Sequence, residues 1–322
     1  MGWTIDDVPD LSGHTAVVTG ANAGLGLHTT IGLATAGARV LMGARDPERG
    51  AQALETVRTE LAQQDHQVAT NRVELVPLDL GSLAAVREAA ATITERVEAL
   101  DILVNNAGIM ATPLARTPDG FEQQIAVNHL APFALTGLLW SVLEQAERAR
   151  VVGVSSVMHR RGRIDLTDLN FERRRYRPWE AYAQSKLANL LFALELNDRA
   201  RLSGSTVTAT TAHPGVAATN LFTGPRLSRT RVGKVGTAAF LRAFGHSAQQ
   251  GAGSVLHAAT IPDLEPGAYI GPGGLTGARG APVRAKRASQ AEEAPVAAQL
   301  WSLSEDLTGV EYPPYPREPE GV

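Results

Sequence analysis

The stretch Thr19-Gly20-Ala21-Asn22-Ala23-Gly24-Leu25-Gly26 constrains this chain more than any other. It follows a short apolar run, Thr15-Ala16-Val17-Val18, and precedes Leu27 to Ala36, which has no proline and carries apolar residues at helical spacing. The first reads as a buried strand and the second as a helix. A strand, a glycine-rich turn and a helix form the opening of a dinucleotide-binding unit. The helix N-terminus offers unpaired N–H groups and the positive end of its dipole to a diphosphate. Glycines remove the Cβ atoms that would keep the phosphates away from the backbone. The spacing G-x-x-x-G-x-G differs from the commoner G-x-G-x-x-G, and taken alone it also suits a βα turn that binds nothing.

The rest of the chain supplies the missing context. Ala38 to Met42 reads as a second strand, and Pro47 opens a helix running to about Gln64. Val73 to Leu78 reads as a third strand ending at Asp79, and Ser82 is a good N-cap for a helix with Leu83, Val86, Ala89, Ala90, Ile93 and Val97 on one face. Ile102-Leu103-Val104 is a fourth strand, followed at once by Asn105-Asn106-Ala107-Gly108. Phe121 to Glu147 reads as one long helix with a kink or offset at Pro132. A fifth strand lies in Arg150 to Ser156, a long helix in Pro178 to about Leu202, and a sixth strand in Thr206 to Ala212, stopped by His213-Pro214-Gly215. Continuous apolar runs mean strands buried on both faces. The expected fold is α/β: a Rossmann-type, doubly wound parallel sheet with helices on both faces. Residues 1–322 are expected to form a single domain, with a core over about 10–219 and a substrate lid and C-terminal segment over about 220–322. Within that segment Gly267 to Ala281 reads as loop, Ala291 to Leu307 as a last helix, and the stretch after Tyr312 as loose.

Composition narrows the function. A formal net charge of −3 argues against general nucleic-acid binding. The chain has no cysteine, which removes disulfides, thiol nucleophiles and thiolate zinc sites; no metal site is expected. The acidic start is not a signal peptide, and Leu130 to Leu143, the longest apolar stretch, is too short to span a bilayer. These features predict a soluble cytoplasmic protein with no membrane span.

Tyr182 and Lys186 stand four apart, on one face of a helix. A lysine cation one turn away favours the phenolate, which suits acid/base work on an alcohol or carbonyl. The order of motifs is more specific than any of them: glycine turn, Asn-Asn-Ala-Gly after the fourth strand, Asn128, Ser155-Ser156 after the fifth, Tyr182/Lys186, and Pro214-Gly215 after the sixth. Over about Asp10 to Thr219 the chain resembles the short-chain dehydrogenase/reductase family. Val154-Ser155-Ser156-Val157-Met158-His159, Ser185-Lys186-Leu187-Ala188-Asn189, His213-Pro214-Gly215-Val216 and Leu300-Trp301-Ser302-Leu303-Ser304-Glu305 look like its retinol-dehydrogenase-like and protochlorophyllide-reductase-like branch.

The resemblance implies roles. Tyr182 is the acid/base, and Lys186 lowers its pKa and binds the nicotinamide ribose. Ser156, rather than Ser155, holds the substrate oxygen, and Asn128 holds a water that relays protons from Lys186. The cofactor would lie along Gly20, Asn22, Gly24, Leu25 and Gly26, with Asp79 and Leu80 at the adenine and Asn105, Asn106, Ala107 and Gly108 on its path. Tyr182, Lys186, Pro214, Gly215 and Thr219 would meet its nicotinamide end. Cofactor choice follows from charge: the second strand ends in Met42-Gly43-Ala44-Arg45, with no acid to bind ribose hydroxyls and with a guanidinium suited to a 2′-phosphate, so NADP(H) is expected. The expected reaction interconverts a carbonyl and an alcohol on a mainly apolar small molecule. A C=C reductase on the same scaffold and a non-catalytic NADP-binding protein are the alternatives. Relatives pair through the helices expected at 121–147 and 178–202, leaving a homodimer or homotetramer open. Between Ser156 and Tyr182 the stretch 157–181 is longer than in compact members and carries Arg160, Arg161, Arg163, Arg173, Arg174, Arg175 and Arg177 against Asp165, Asp168, Glu172 and Glu180. It reads as a solvated loop with local ion pairs, or as a lid for anionic substrates or a membrane surface.

Overall fold

A computed structural model describes residues 2–63, 72–215, 248–274 and 277–313. Strand β1 (Thr15–Thr19) runs into the glycine turn and helix α1 (Gly24–Thr35). Then follow β2 (Arg39–Ala44), α2 (Pro47–Gln63), β3 (Val73–Pro77), α3 (Leu83–Arg96) and β4 (Ile102–Asn105). Ser82 caps α3 by accepting the Ala85 N–H. Beyond β5 (Arg150–Val154) come the long helix α5 (Pro178–Ser203), β6 (Thr208–Ala212), α6 (Ala248–Thr260), β7 (Tyr269–Pro272), β8 (Pro282–Arg284) and α7 (Ala294–Thr308); α4 is Ala131–Leu138.

One sheet contains all eight strands, in the order β3-β2-β1-β4-β5-β6-β7-β8, with every neighbouring pair parallel except β7 and β8. The register is continuous through the centre, Val17 facing Leu41 on one side and Leu103 on the other. Alternate residues of each strand feed opposite layers. Val17, Leu41 and Leu103 pack with Ile93 and Phe133, whereas Val18, Met42 and Val104 pack with Leu33 and Val255. The architecture is the expected doubly wound one. The strand order reverses between β1 and β4, so the crevice at their C-terminal ends is where such sheets bind ligands.

Two expectations need correction. Phe121 to Glu147 is not one helix. It is a turn at Gln123–Ile125, a π-helical segment at Ala126–Leu130, α4, and a further turn at Trp140–Leu143. Pro132 follows directly on the π-helical segment, whose widened turn accommodates the proline ring and its missing N–H, so the irregularity lies before it. Gly267 to Ala281 is not simply loop, because β7 lies inside it. The expected lid residues from Leu221 to Phe244 and Thr219 lie outside the described residues, as does the tail after 313. Up to 313 the chain is anchored: Tyr312 is buried, its hydroxyl donates to the Phe133 carbonyl at 2.8 Å, and its ring packs on Trp301 at 4.4 Å. Among the described residues no helix is long and apolar enough to cross a membrane.

Candidate active site

The glycine turn is locked to β4 by Thr19 and Asn106. Thr19 Oγ1 donates to the Val104 carbonyl and accepts the N–H groups of Asn106 and Ala107, both at 3.0 Å. Asn106 Nδ2 donates to the Thr19 carbonyl at 2.7 Å and reaches the Gly20 carbonyl at 3.4 Å. Gly24 has φ +54°, a conformation that glycine adopts without strain. A Cβ on Gly26 would stand 2.4 Å from the Gly20 carbonyl oxygen and 2.5 Å from Asn106 Nδ2, so the turn closes only with glycine there. No side chain caps α1: Ala23 occupies the N-cap with no side-chain hydrogen bond. The first amides of α1 are therefore free to meet an anion.

The flanks of this crevice suit the rest of a dinucleotide. Arg45, just past β2, is exposed and has no hydrogen bond or ion pair to a described residue; Asp46 instead accepts the N–H groups of Glu48 and Arg49 at the start of α2. Asp79 accepts the Gly81 N–H at 2.9 Å, which shapes the turn after β3, and Leu80 is buried beside it. Asn105 is buried and donates to Thr136 at 3.1 Å. Gly215, after β6, has φ +72° and donates its N–H to His213. Asn22, Leu25, Ala107, Gly108 and Pro214 lie on the same loops. These residues fit a nicotinamide dinucleotide.

The reactive group stands across the crevice. Tyr182 and Lys186 share a face of α5 and are buried, at 6% and 4% exposure. Ser156 Oγ accepts the Met158 N–H at 3.2 Å, and its hydroxyl is close enough to Tyr182 to favour the phenolate. Ser155 points elsewhere, donating to the Lys186 carbonyl at 2.7 Å. Lys186 Nζ donates to the Val154 carbonyl at 2.9 Å and lies 5.7 Å from the Tyr182 ring centre. Burial dominates the proton affinities. It pushes the Tyr182 phenol up to about 12, against the opposing pull of the Ser156 hydroxyl, and it pushes Lys186 down to about 8. Burial is the larger influence on Tyr182 in this arrangement, where the Lys186 ammonium is turned toward the Val154 carbonyl.

Asn128 lies in the π-helical segment, 1% exposed. Its Oδ1 accepts the Ile109 N–H, and its Nδ2 donates to the Ile109 carbonyl and to Ser185 Oγ, at 2.8 to 2.9 Å. The amide braces the loop after β4 against α5 and keeps one acceptor lone pair for a water.

The stretch 157–181 folds onto the site's rim. Asp168 accepts the N–H groups of Glu172, Arg173 and Arg174, and Arg174 pairs with Asp168 at 3.5 Å, covers the Phe171 ring and donates to Gln184 of α5 at 2.6 Å. Local ion pairing accounts for Arg174 and for Arg177, which pairs with Glu180.

Sequence reasoning gave no role to three further residues here. His159, His213 and Tyr269 form a buried aromatic cluster beside Ser156, with ring centres 5.0 to 5.2 Å apart at each tyrosine contact. The only clue was the position of His159, three residues after Ser156, where a 3₁₀ turn returns its side chain to the serine.

The family model described as short chain dehydrogenase matches residues 14–228. Human retinol dehydrogenase 13 is 38% identical over 314 residues, 96% of this chain and 88% of that protein. Mouse polyprenol dehydrogenase is 39% identical over 263 residues, 80% of this chain and 75% of that protein. A crystal structure of an uncharacterized protein from Mycobacterium paratuberculosis superposes with a TM-score of 0.78 at 42% identity, covering 97% of this chain and all of that one.

Proposed function

This chain belongs to the short-chain dehydrogenase/reductase family, and from that premise we propose that it is an NADP(H)-dependent enzyme for mainly apolar alcohols and their carbonyls, built as one domain over residues 1–322. Membership of the retinol-dehydrogenase-like branch makes it an oxidoreductase of alcohol and carbonyl groups using a nicotinamide dinucleotide. The choice of NADP(H) rests on the exposed Arg45 just past β2, which has no ion pair among the described residues and whose forked cation suits a 2′-phosphate. The apolar substrate class is supported by the names of the relatives, since retinol and polyprenol are both apolar alcohols.

The observation that carries the mechanism is the buried Tyr182, with the Ser156 hydroxyl on one side favouring its phenolate and Lys186 Nζ 5.7 Å from its ring. A bound nicotinamide supplies or takes up the hydride. In the reducing direction Tyr182 gives its proton to the carbonyl oxygen; a phenol held near pKa 12 keeps that proton until charge develops on the oxygen. Ser156 hydrogen-bonds the same oxygen and stabilises the growing charge. Lys186, held near 8, is still largely a cation at neutral pH and favours the phenolate as it forms. The uncapped amides of Gly24, Leu25 and Gly26 would hold the diphosphate, Asp79 and Leu80 the adenine, and Lys186 the nicotinamide ribose. Asn22, Gly20, Asn105, Asn106, Ala107, Gly108, Pro214 and Gly215 complete the cleft, with Asn128 as the brace behind it.

The test follows NADPH absorbance with all-trans-retinaldehyde as the probe, wild type beside Tyr182→Phe. The expected loss of kcat is about 100-fold or more, the scale of a positioned acid/base. Undiminished turnover in folded Tyr182→Phe refutes the mechanism.

A further inference from the structure

Ser156 is held from behind by a residue that no role above accounts for. His159 is wholly buried in the 3₁₀ turn Val157–Arg161. Its Nε2 lies 3.1 Å from the main-chain nitrogen of Ala288, in the strap between β8 and α7. A main-chain N–H can only donate, so Nε2 must carry the lone pair. The ring proton is then on Nδ1, and its partner at 2.6 Å, the Ser156 carbonyl, can only accept. That carbonyl also takes the His159 N–H at 3.0 Å, while the Ser156 hydroxyl accepts the Met158 N–H at 3.2 Å and favours the Tyr182 phenolate. Tyr269 of β7 closes the far side edge-on, with its hydroxyl 3.5 Å from Nδ1.

We propose that His159 is a positioning residue for Ser156: as a neutral imidazole whose Nδ1–H tautomer is set by the Ala288 N–H, it holds the serine against Tyr182 through the Ser156 carbonyl. A protonated ring would aim Nε2–H at the Ala288 N–H and break the strap contact. Titratable and charged groups surround the ring on several elements: Arg160 on its own turn, Tyr269 on β7, His213 after β6, and Lys286 and Arg287 on the strap, with Tyr182 of α5 beyond Ser156. Burial and the Arg160 charge both oppose protonation of His159, against the pull of the Ser156 carbonyl.

The kinetic part of the test rests on the oxidoreductase reading; the spectroscopic part does not. His159→Asn puts an amide N–H where Nδ1–H was, His159→Gln puts an amide oxygen where Nε2 was, and His159→Phe supplies neither. With retinaldehyde and NADPH, His159→Asn is expected to keep kcat within about threefold, whereas His159→Gln and His159→Phe lose about tenfold or more in kcat with KM and NADPH affinity little changed, as expected for misplacement of a reacting group. Equal losses in all three variants overturn the proposal, because a space-filling ring would not distinguish them. Independently of turnover, nitrogen NMR of the labelled full chain should show His159 as the Nδ1–H tautomer, taking up a proton only below the usual imidazole range. The Tyr182 Cζ signal should shift in His159→Gln but not in His159→Asn. An Nε2–H tautomer, or a Tyr182 signal blind to both variants, overturns the proposal even if no carbonyl is ever reduced and the oxidoreductase reading itself fails.

Discussion

The nucleotide end and the reactive end of the crevice are held together by different kinds of contact. Around the glycine turn the partners are neighbours in the sheet: Thr19, Gly20, Asn106 and Ala107 bond one another at the ends of β1 and β4, each bond joining a side-chain atom of Thr19 or Asn106 to a main-chain atom. Around Tyr182 the supports arrive from far along the chain. His159 is tied to Ala288, His129 beside Asn128 is tied to Ser304 at 3.0 Å, and Arg87 donates to the carbonyls of Thr308 and Gly309 at the end of α7. The aromatic stack of Phe133, Phe192, Trp301 and Tyr312 fastens the same helix behind α5. The difference implies that the glycine turn is fixed by contacts at the ends of β1 and β4, while the packing around Tyr182 draws on residues 285–313.

That division can be broken by experiment. Gly26→Val carries the largest expected effect: with a Cβ forced to about 2.4 Å from a carbonyl oxygen the turn must open, and NADPH affinity should fall about 100-fold or more by fluorescence titration, with the α7 contacts intact. Ser304→Val tests the other end. It leaves the buried His129 Nε2 without a partner and should cost about 1–3 kcal/mol of unfolding free energy in urea, with NADPH affinity unmoved. If it weakened NADPH binding as strongly as Gly26→Val, the two ends would not be separate. Arg45→Ala should weaken NADPH about tenfold and leave NADH alone, by loss of one charge-assisted contact; an unchanged preference would remove the argument for NADP(H).

Acid should expose the reactive end selectively. Burial pushes His129 down to about 3 and His213 to about 4, below the 6.5 of an unfolded imidazole. The folded state binds fewer protons, so the stability these groups contribute is full above pH 6.5 and is lost as pH falls toward 3. His129→Gln, which keeps a donor for Ser304, should flatten the acid slope of unfolding free energy by about 1.4 kcal/mol per pH unit below about pH 6. Smallest of all, Ser82→Ala removes the cap of α3 and should cost about 1 kcal/mol with no change at either end of the crevice.

The same contrast decides what was legible in the sequence. The glycine turn, the Asn105–Gly108 run and the Tyr182/Lys186 pair are local, so contiguous residues or one helical turn carried the whole signal. Ser156 could be preferred over Ser155 for the same reason, and the structure turns the two hydroxyls apart. The β7 strand was hidden by composition. Its Gly271 reads as a breaker, yet a Cβ there would stand 1.9 Å from His213 Nε2, so glycine is what lets the strand pass the ring. His159 was hidden by distance, since its partner at Ala288 shares no sequence signal with it. The effect of burial on Tyr182 and Lys186 was also out of reach, because spacing reveals who is adjacent but not how dry the place is.

The π-helical segment Ala126–Leu130 has a consequence for how this chain tolerates change in length. It sends Asn128 toward Ile109 and the very next residue, His129, toward Ser304. A single-residue deletion there would let the backbone relax to the ordinary i→i+4 pattern, leaving the flanking helices facing as before but one position fewer in the turn. One of those two neighbours would then face the wrong way. Point changes at Ala126 or Val127 should be survivable, while a gap of one residue should not: in this stretch the count of residues matters more than their identity.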